Sequence, residues 1–247
     1  MKFLGIDLGW RSGATGLCCL EWKLEQLHRV DLTTEIELDR ILAWIDRQLP
    51  PESPGLIAVD APTLIPNLTG MRLCDRLTHR YFGKYDAGCY PANQQRPFAE
   101  RTTGFGQSLH QRGFSHAPDM IAQKLGRYQI EVYPHPAIVN LFGLERILKY
   151  KKGKVGDRRL ELSKLRTFIG DRLPQRQPPL APLDLPPIPE KGKALKAVED
   201  QLDSLICAYI GAHWWYWGTQ KNWVLGDLQS GYIIVPKSDR QNLCDRP

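Results

Sequence analysis

No Cys-x-x-Cys pair occurs in this chain, and no His/Cys spacing matches a zinc site, although six cysteines are present. That excludes a metal centre built on the usual finger or ribbon spacing. Cys18 and Cys207 sit in apolar stretches, where a thiol serves as a small core residue. With Cys19, Cys74, Cys89 and Cys244 they are expected to be reduced, as in a cytoplasmic protein. The apolar run of Met1–Asp7 is too short for a signal peptide. No segment approaches the roughly 20 apolar residues that span a bilayer, so no membrane partner is expected. There is no internal repeat and no low-complexity tail.

What remains is an ordinary folded composition. The 247 residues are 42% hydrophobic and 24% charged, enough for a sizeable core and consistent with one domain over 1–247. The net charge of +6 tilts the expected partners toward anions such as nucleic acid.

Patterning predicts the elements. Residues 2–7 read as a strand, followed through Gly9 and Gly13 by strands over about 14–22 and 23–31 that form an antiparallel meander. Thr34 is placed to cap a helix of about 15 residues with Ile36, Leu38, Ile41, Leu42, Ile45 and Leu49 on its buried face. Gly55–Asp60 is a continuous apolar run suited to a parallel strand buried on both faces. Periodicity weakens over 61–118, rich in glycine, proline and arginine, so this stretch reads as an insertion or lid; only Thr69–Tyr81 is helix-like. A strand over 129–133, a helix from Pro134 to about Lys149 and another ending near Arg172 follow. Residues 174–189 hold seven prolines and are a crossover or loop. A long helix over 193–217 and a hairpin over 223–235 complete the chain.

Acidic residues in apolar settings carry the chemistry. Asp7, Asp60 and Glu131 lie at or near strand ends, and Asp200 and Asp203 share one helix face at i, i+3 spacing. Clustered carboxylates do not all ionise without compensation. A hard divalent ion, Mg²⁺ or Mn²⁺, bound by Asp7, Asp60, Asp200 and Asp203 supplies it, with phosphate oxygens completing the shell. Asp7, Asp60, Glu131 and Asp203 are the expected catalytic set. The local alternatives are a turn aspartate at Asp7, a cap at Asp60, a solvent-facing Glu131 and an exposed helix acid at Asp200.

The ordered segments Gly5-Ile6-Asp7, Val59-Asp60-Ala61-Pro62, Arg72-Leu73-Cys74-Asp75-Arg76, Glu131-Val132-Tyr133-Pro134 and Asp200-x-x-Asp203 resemble the motifs of the family called domain of unknown function 429. The resemblance spans roughly Met1 to Trp217. It implies an α/β ribonuclease-H-like mixed sheet with flanking helices, the insertion following the Asp60 strand. It also implies a metal-dependent nuclease on DNA or RNA; the strand-end aspartate and late D-x-x-D helix are similar to RuvC-type resolvases. Ser204 departs from the alanine common after the helix aspartate.

Arg72 and Arg76 are spaced as a phosphate clamp, although Asp75 between them equally suits an ion pair that holds the insertion. Lys152, Lys154 and Arg159 lie in the densest basic cluster and suit backbone phosphates or a solvated face. The aromatic run His213–Trp217 could stack unpaired bases but reads better as core or interface packing. His79, His110, His116 and His135 are candidate general acids or bases whose commoner role is structural. Two other readings stand beside the nuclease: an inactive nucleic-acid-binding or regulatory protein, and an actin-like kinase. Gly5-Ile6-Asp7-Leu8-Gly9 also resembles a first phosphate loop, but no Asp-x-Gly-x-Thr loop follows.

Overall fold

The computed structural model describes residues 1–10 and 13–238. Three strands, β1 (Lys2–Asp7), β2 (Thr15–Lys23) and β3 (Gln26–Glu35), form the antiparallel meander, turning at Leu24 and Glu25 in the left-handed region. Helix α1 (Leu38–Gln48) leads to β4 (Gly55–Val59), which pairs parallel to β1. After α2 (Leu73–Phe82), α3 (Ala99–Gln111) and the two-residue β5 (Ser115–His116), strand β6 (Arg127–Glu131) pairs parallel to β4. The sheet order is β3-β2-β1-β4-β6-β5. Helices α4 (Pro134–Phe142), α5 (Val155–Arg172) and α6 (Gly192–Trp217) follow, then a hairpin of β7 (Asn222–Asp227) and β8 (Gly231–Pro236).

Strand alternation sorts the core into two layers. Phe3, Leu56, Ala58, Ile130 and Val132 face the layer that contains α6, with Leu205, Ala208 and Tyr209. Leu4, Ile6, Ile57 and Val59 face the opposite layer, against Ile41 and Ile45 of α1 and Phe105 and Leu109 of α3. The helix α6 lies directly on the backbone of β1 and β2. A Cβ on Gly5 would sit 1.9 Å from the carbonyl oxygen of Ser204, and one on Gly16 would sit 1.9 Å from that of Asp200. Two strand glycines therefore set how close the acidic end of α6 comes to Asp7. Gly5→Ala forces backbone apart and is expected to cost about 3 kcal/mol in urea denaturation; a loss under about 0.5 kcal/mol would show that α6 is free to shift.

Several expected boundaries move. Thr34 does not cap a helix: it pairs with Gly16 in β3. The turn is made by the Glu35 carboxylate, which accepts from the amides of Ile36 and Glu37, and α1 starts at Leu38. Ile36 is consequently exposed rather than buried. The α4 helix stops at Gly143 in the left-handed conformation, well before Lys149. Residues 61–118 contain α3 as well as α2. Its sequence AERTTGFGQSLHQ has only Phe105 and Leu109 as large buried side chains, too sparse a stripe to read as a helix. The proline-rich stretch runs along the edge strand, the Leu27 amide donating to Pro179 and the Ala181 amide to Leu27.

Candidate active site

The parallel pairing places two carboxylates side by side. Ile6 is opposite Val59, and the Asp60 amide donates to the Ile6 carbonyl, so Asp7 and Asp60 leave adjacent strand ends. By alternation both point to the α6 side. From α6, Asp200 and Asp203 come down on the same end of the sheet, and the charges of Asp203, Asp60 and Asp200 all act on Asp7. Among the described residues no hydrogen-bond donor reaches the carboxylate of Asp7 or Asp60.

Glu131 separates from this group for a reason of register. It is opposite Val59, not Asp60, so its side chain leaves the other face of the sheet. There Arg72 takes it: Nη1 donates to Oε2 at 2.8 Å and Nη2 to Oε1 at 2.6 Å. The same guanidinium donates from Nε and Nη2 to Asp75 Oδ1 and from Nη1 to the Leu64 carbonyl. Every Arg72 donor is used inside the protein, and its side chain is 2% exposed. Burial opposes its charge, and Glu131, Cys74 and Asp75 together more than offset that, so its pKa is raised. The expected Arg72/Arg76 phosphate clamp is therefore corrected to an ion-paired strut that ties α2 to β6. Arg76 is exposed and bonds to the Met71 carbonyl.

The positive charge at the acid cluster comes from Lys151, beside Lys152 in the basic cluster, and from Lys196 of α6. Lys151 Nζ lies 2.8 Å from Asp203 Oδ2 as an ion pair, without the alignment of a hydrogen bond. Tyr150 donates to Asp203 Oδ1 at 2.7 Å. Asp203 is 0% exposed and both its oxygens face internal partners, so it anchors Lys151. Burial disfavours the Lys151 ammonium, yet Asp203, Asp7, Tyr150 and Asp60 raise its pKa well above the ordinary value. Asp200 differs. Lys196 approaches its Oδ1 at 2.7 Å and also Glu199, while its buried Oδ2 has no hydrogen-bond partner among the described residues. Asp7, Asp60, Asp200, Lys151, Lys152 and Lys196 line one cleft of about 630 Å³, with Glu131 and Arg72 at its wall. Lys154 and Arg159 are not among its lining residues; Lys154 precedes α5 and Arg159 bonds the Pro189 carbonyl. His135 also lines the cleft, and burial together with Lys151 depresses its pKa to about 4, so it is neutral.

Burial raises Asp60 to about 7, with Lys151 opposing and Asp203 adding to the rise. Burial raises Asp7 well above 3.8 in the same way, with Lys151 opposing. The folded chain therefore holds protons that the unfolded chain releases, and that stability is full below about pH 4 and is lost as pH rises through 7. His116 and His135, both lowered to about 4, act in the opposite sense only below 6.5. Burial raises Glu131 to about 7 as well, with Arg72 opposing. In EDTA the unfolding free energy is therefore expected to fall by about 1–2 kcal/mol from about pH 6.5 to about pH 8, and Asp60→Asn should make the slope shallower by removing one of these groups. A wild-type curve flat or rising over that window contradicts the assignment.

The family described as protein of unknown function (DUF429) matches residues 5–223. The chain belongs to this family. No curated protein matches it. The match covers each acidic residue of this DUF429 chain discussed above, together with Arg72, Lys151 and Lys196. Among its described residues no helix is long and apolar enough to cross a membrane, and Cys18, Cys19, Cys74, Cys89 and Cys207 are free thiols; Cys244 lies outside the described residues.

A divalent ion can be tested against this donor set. Among the described residues no group of three His, Cys, Asp or Glu side chains forms a ready metal cage. Mg²⁺ does not need one, since it takes one or two carboxylates and fills the rest with water and phosphate oxygens. Among the described residues, Asp7 and Asp60 are hard oxygen donors without hydrogen-bond donors of their own, and Asp200 Oδ2 is a buried oxygen without a hydrogen-bond partner. This set fits such an ion.

Proposed function

We propose that this protein is a Mg²⁺- or Mn²⁺-dependent nuclease of the ribonuclease-H-like fold that hydrolyses phosphodiester bonds in DNA or RNA. One observation carries the reading: Asp7 and Asp60 leave adjacent parallel strands toward α6, where Asp200 presents a buried oxygen without a hydrogen-bond partner among the described residues, beside lysines that can meet a phosphate. The sheet supports it. An antiparallel meander, a helix and then parallel strands form a mixed sheet with flanking helices, in line with the expected architecture.

In this reading one or two of the carboxylates Asp7, Asp60 and Asp200 would hold the ion, with water and phosphate oxygens filling the rest, and the ion when bound would supply Lewis acidity and a water nucleophile at neutral pH. The chain's own residues do the rest. Lys151, fixed by Asp203, keeps the acid cluster from repelling itself apart and keeps an ammonium at the cleft for a phosphate oxygen. Lys152 is exposed at the same cleft and adds a second cation. Asp203 is a positioning residue rather than a ligand, and Glu131 holds Arg72 rather than the ion.

The purified protein is expected to cleave at least one member of a panel of single-stranded, duplex and branched DNA and RNA with Mn²⁺ or Mg²⁺, and to stop in EDTA. No cleavage of any member with either ion would sink this reading. A second reading has its own observation: Lys151 and Lys196 already neutralise part of the cluster, as an inactive nucleic-acid-binding protein would require. It predicts salt-sensitive binding with no cleavage at all.

A further inference from the structure

The cleft above the carboxylates has an aromatic wall. Trp10 lies against Phe98 with ring centroids 4.5 Å apart, and Tyr90 meets both edge-on, at 6.5 Å from Trp10 and 6.3 Å from Phe98. The wall is tied to the acid cluster, because Trp10 Nε1 donates to the Asp60 carbonyl at 3.3 Å. Phe98 is buried and fixes the wall, while Tyr90 is 58% exposed. All three rings line the same cleft as Asp7, Asp60 and Asp200. Arg96 completes the wall: its guanidinium carbon stands 5.0 Å from the Tyr90 ring centre. Its Nη1 reaches the Tyr90 hydroxyl only at 3.5 Å, and its buried Nε has no hydrogen-bond partner among the described residues. Tyr90 is thus a large aromatic open to solvent beside a guanidinium whose donors are not all used.

The geometry points to a subsite for an unpaired nucleotide: its base packs on the Trp10/Tyr90 wall and its phosphate meets Arg96, beside the acid cluster. This inference deepens the nuclease reading and rests on it for the orientation of the strand toward Asp7. Stacking on an aromatic side chain needs a base free of its own stack, as in a single strand or a flipped nucleotide. A volume of about 630 Å³ is that of a small-molecule site and takes a nucleotide rather than a duplex. Tyr90 and Arg96 belong to the 61–118 stretch, so that stretch gives the cleft its preference for unpaired ends or loops. A strand and a free mononucleotide share this chemistry; the strand's extra phosphates should make it the tighter ligand.

Fluorescence anisotropy with a short labelled oligothymidylate, an oligouridylate and a duplex of equal length, in Ca²⁺, tests the subsite. Wild type is expected to bind a single strand at least about tenfold tighter than the duplex, and Tyr90→Ala to lose about tenfold. Arg96→Gln should lower the slope of log K against log salt by about 0.7, one phosphate contact, with circular dichroism unchanged. Competition by thymidine monophosphate at the strand's own concentration would assign the site to a free nucleotide; none assigns it to a strand. Equal binding of duplex and single strands, no binding of any single strand, or a Tyr90→Ala variant as tight as wild type overturns the inference. The same samples assayed with Mn²⁺ separate it from the parent reading. Tyr90-dependent binding without cleavage leaves the subsite standing and removes the nuclease, whereas cleavage untouched by Tyr90→Ala does the reverse.

Discussion

Asp7→Asn is expected to reduce Mn²⁺-dependent cleavage by at least about a thousandfold while leaving the fold intact or more stable. The activity loss follows from removing a hard anionic ligand, since charge stabilisation of several kcal/mol disappears with the ion. The stability effect follows from the same environment. Asp7 sits where burial and the charges of Asp203, Asp60 and Asp200 all disfavour ionisation, against one opposing lysine. A neutral amide of the same shape removes that penalty, and the gain is of the order of 1 kcal/mol. Activity and stability should therefore move in opposite directions, which a merely structural aspartate would not do. Thermal unfolding in EDTA beside a cleavage assay reads both. An Asp7→Asn protein that cleaves within about tenfold of wild type would remove Asp7 from the site.

Arg72→Met is expected to be the most destabilising single change in the cleft wall, by about 3–5 kcal/mol. The guanidinium is 2% exposed, and its removal strands Glu131 and Asp75 in a buried setting with their Arg72 donors gone. In a chain of this size that corresponds to a melting temperature lower by about 10 °C. Adding Glu131→Gln to Arg72→Met should recover part of the loss, because the stranded charge is then gone. If Arg72→Met melts within about 2 °C of wild type, the strut is not what holds α2 to β6.

These two arginine and aspartate cases show where the sequence was readable. The apolar runs ending in Asp7 and Asp60 give the strand ends directly, and i, i+3 spacing gives the shared face of Asp200 and Asp203. What separates Glu131 from the others is a one-residue difference in register: it sits opposite Val59, and a strand slip of one residue reverses the face. No local pattern encodes that pairing. Nor does the acidic motif on α6 say which aspartate faces the cleft; Tyr150 and Lys151, about 50 residues earlier in the chain, take Asp203 and leave Asp200. The lysine cluster was visible, but its charge pattern reads equally as a solvated face, and only the fold turns Lys151 inward while Lys154 stays out. The wall of Trp10, Tyr90 and Phe98 was least legible, because it joins a turn after β1 to an irregular segment about 80 residues away. Gly5 looked like part of a phosphate-loop motif, and its close approach to Ser204 shows a packing role that spacing alone does not reveal.

The central claim, a divalent ion held by carboxylates of the Asp7, Asp60 and Asp200 cluster, is tested most directly by anomalous diffraction from crystals of the full chain soaked in Mn²⁺. The expected result is a manganese peak in the cleft within about 2.3 Å of oxygens from at least two of these three aspartates, absent in Asp7→Asn crystals. A cleft without manganese, with Lys151 and Lys196 as the only cations on the cluster, would contradict it.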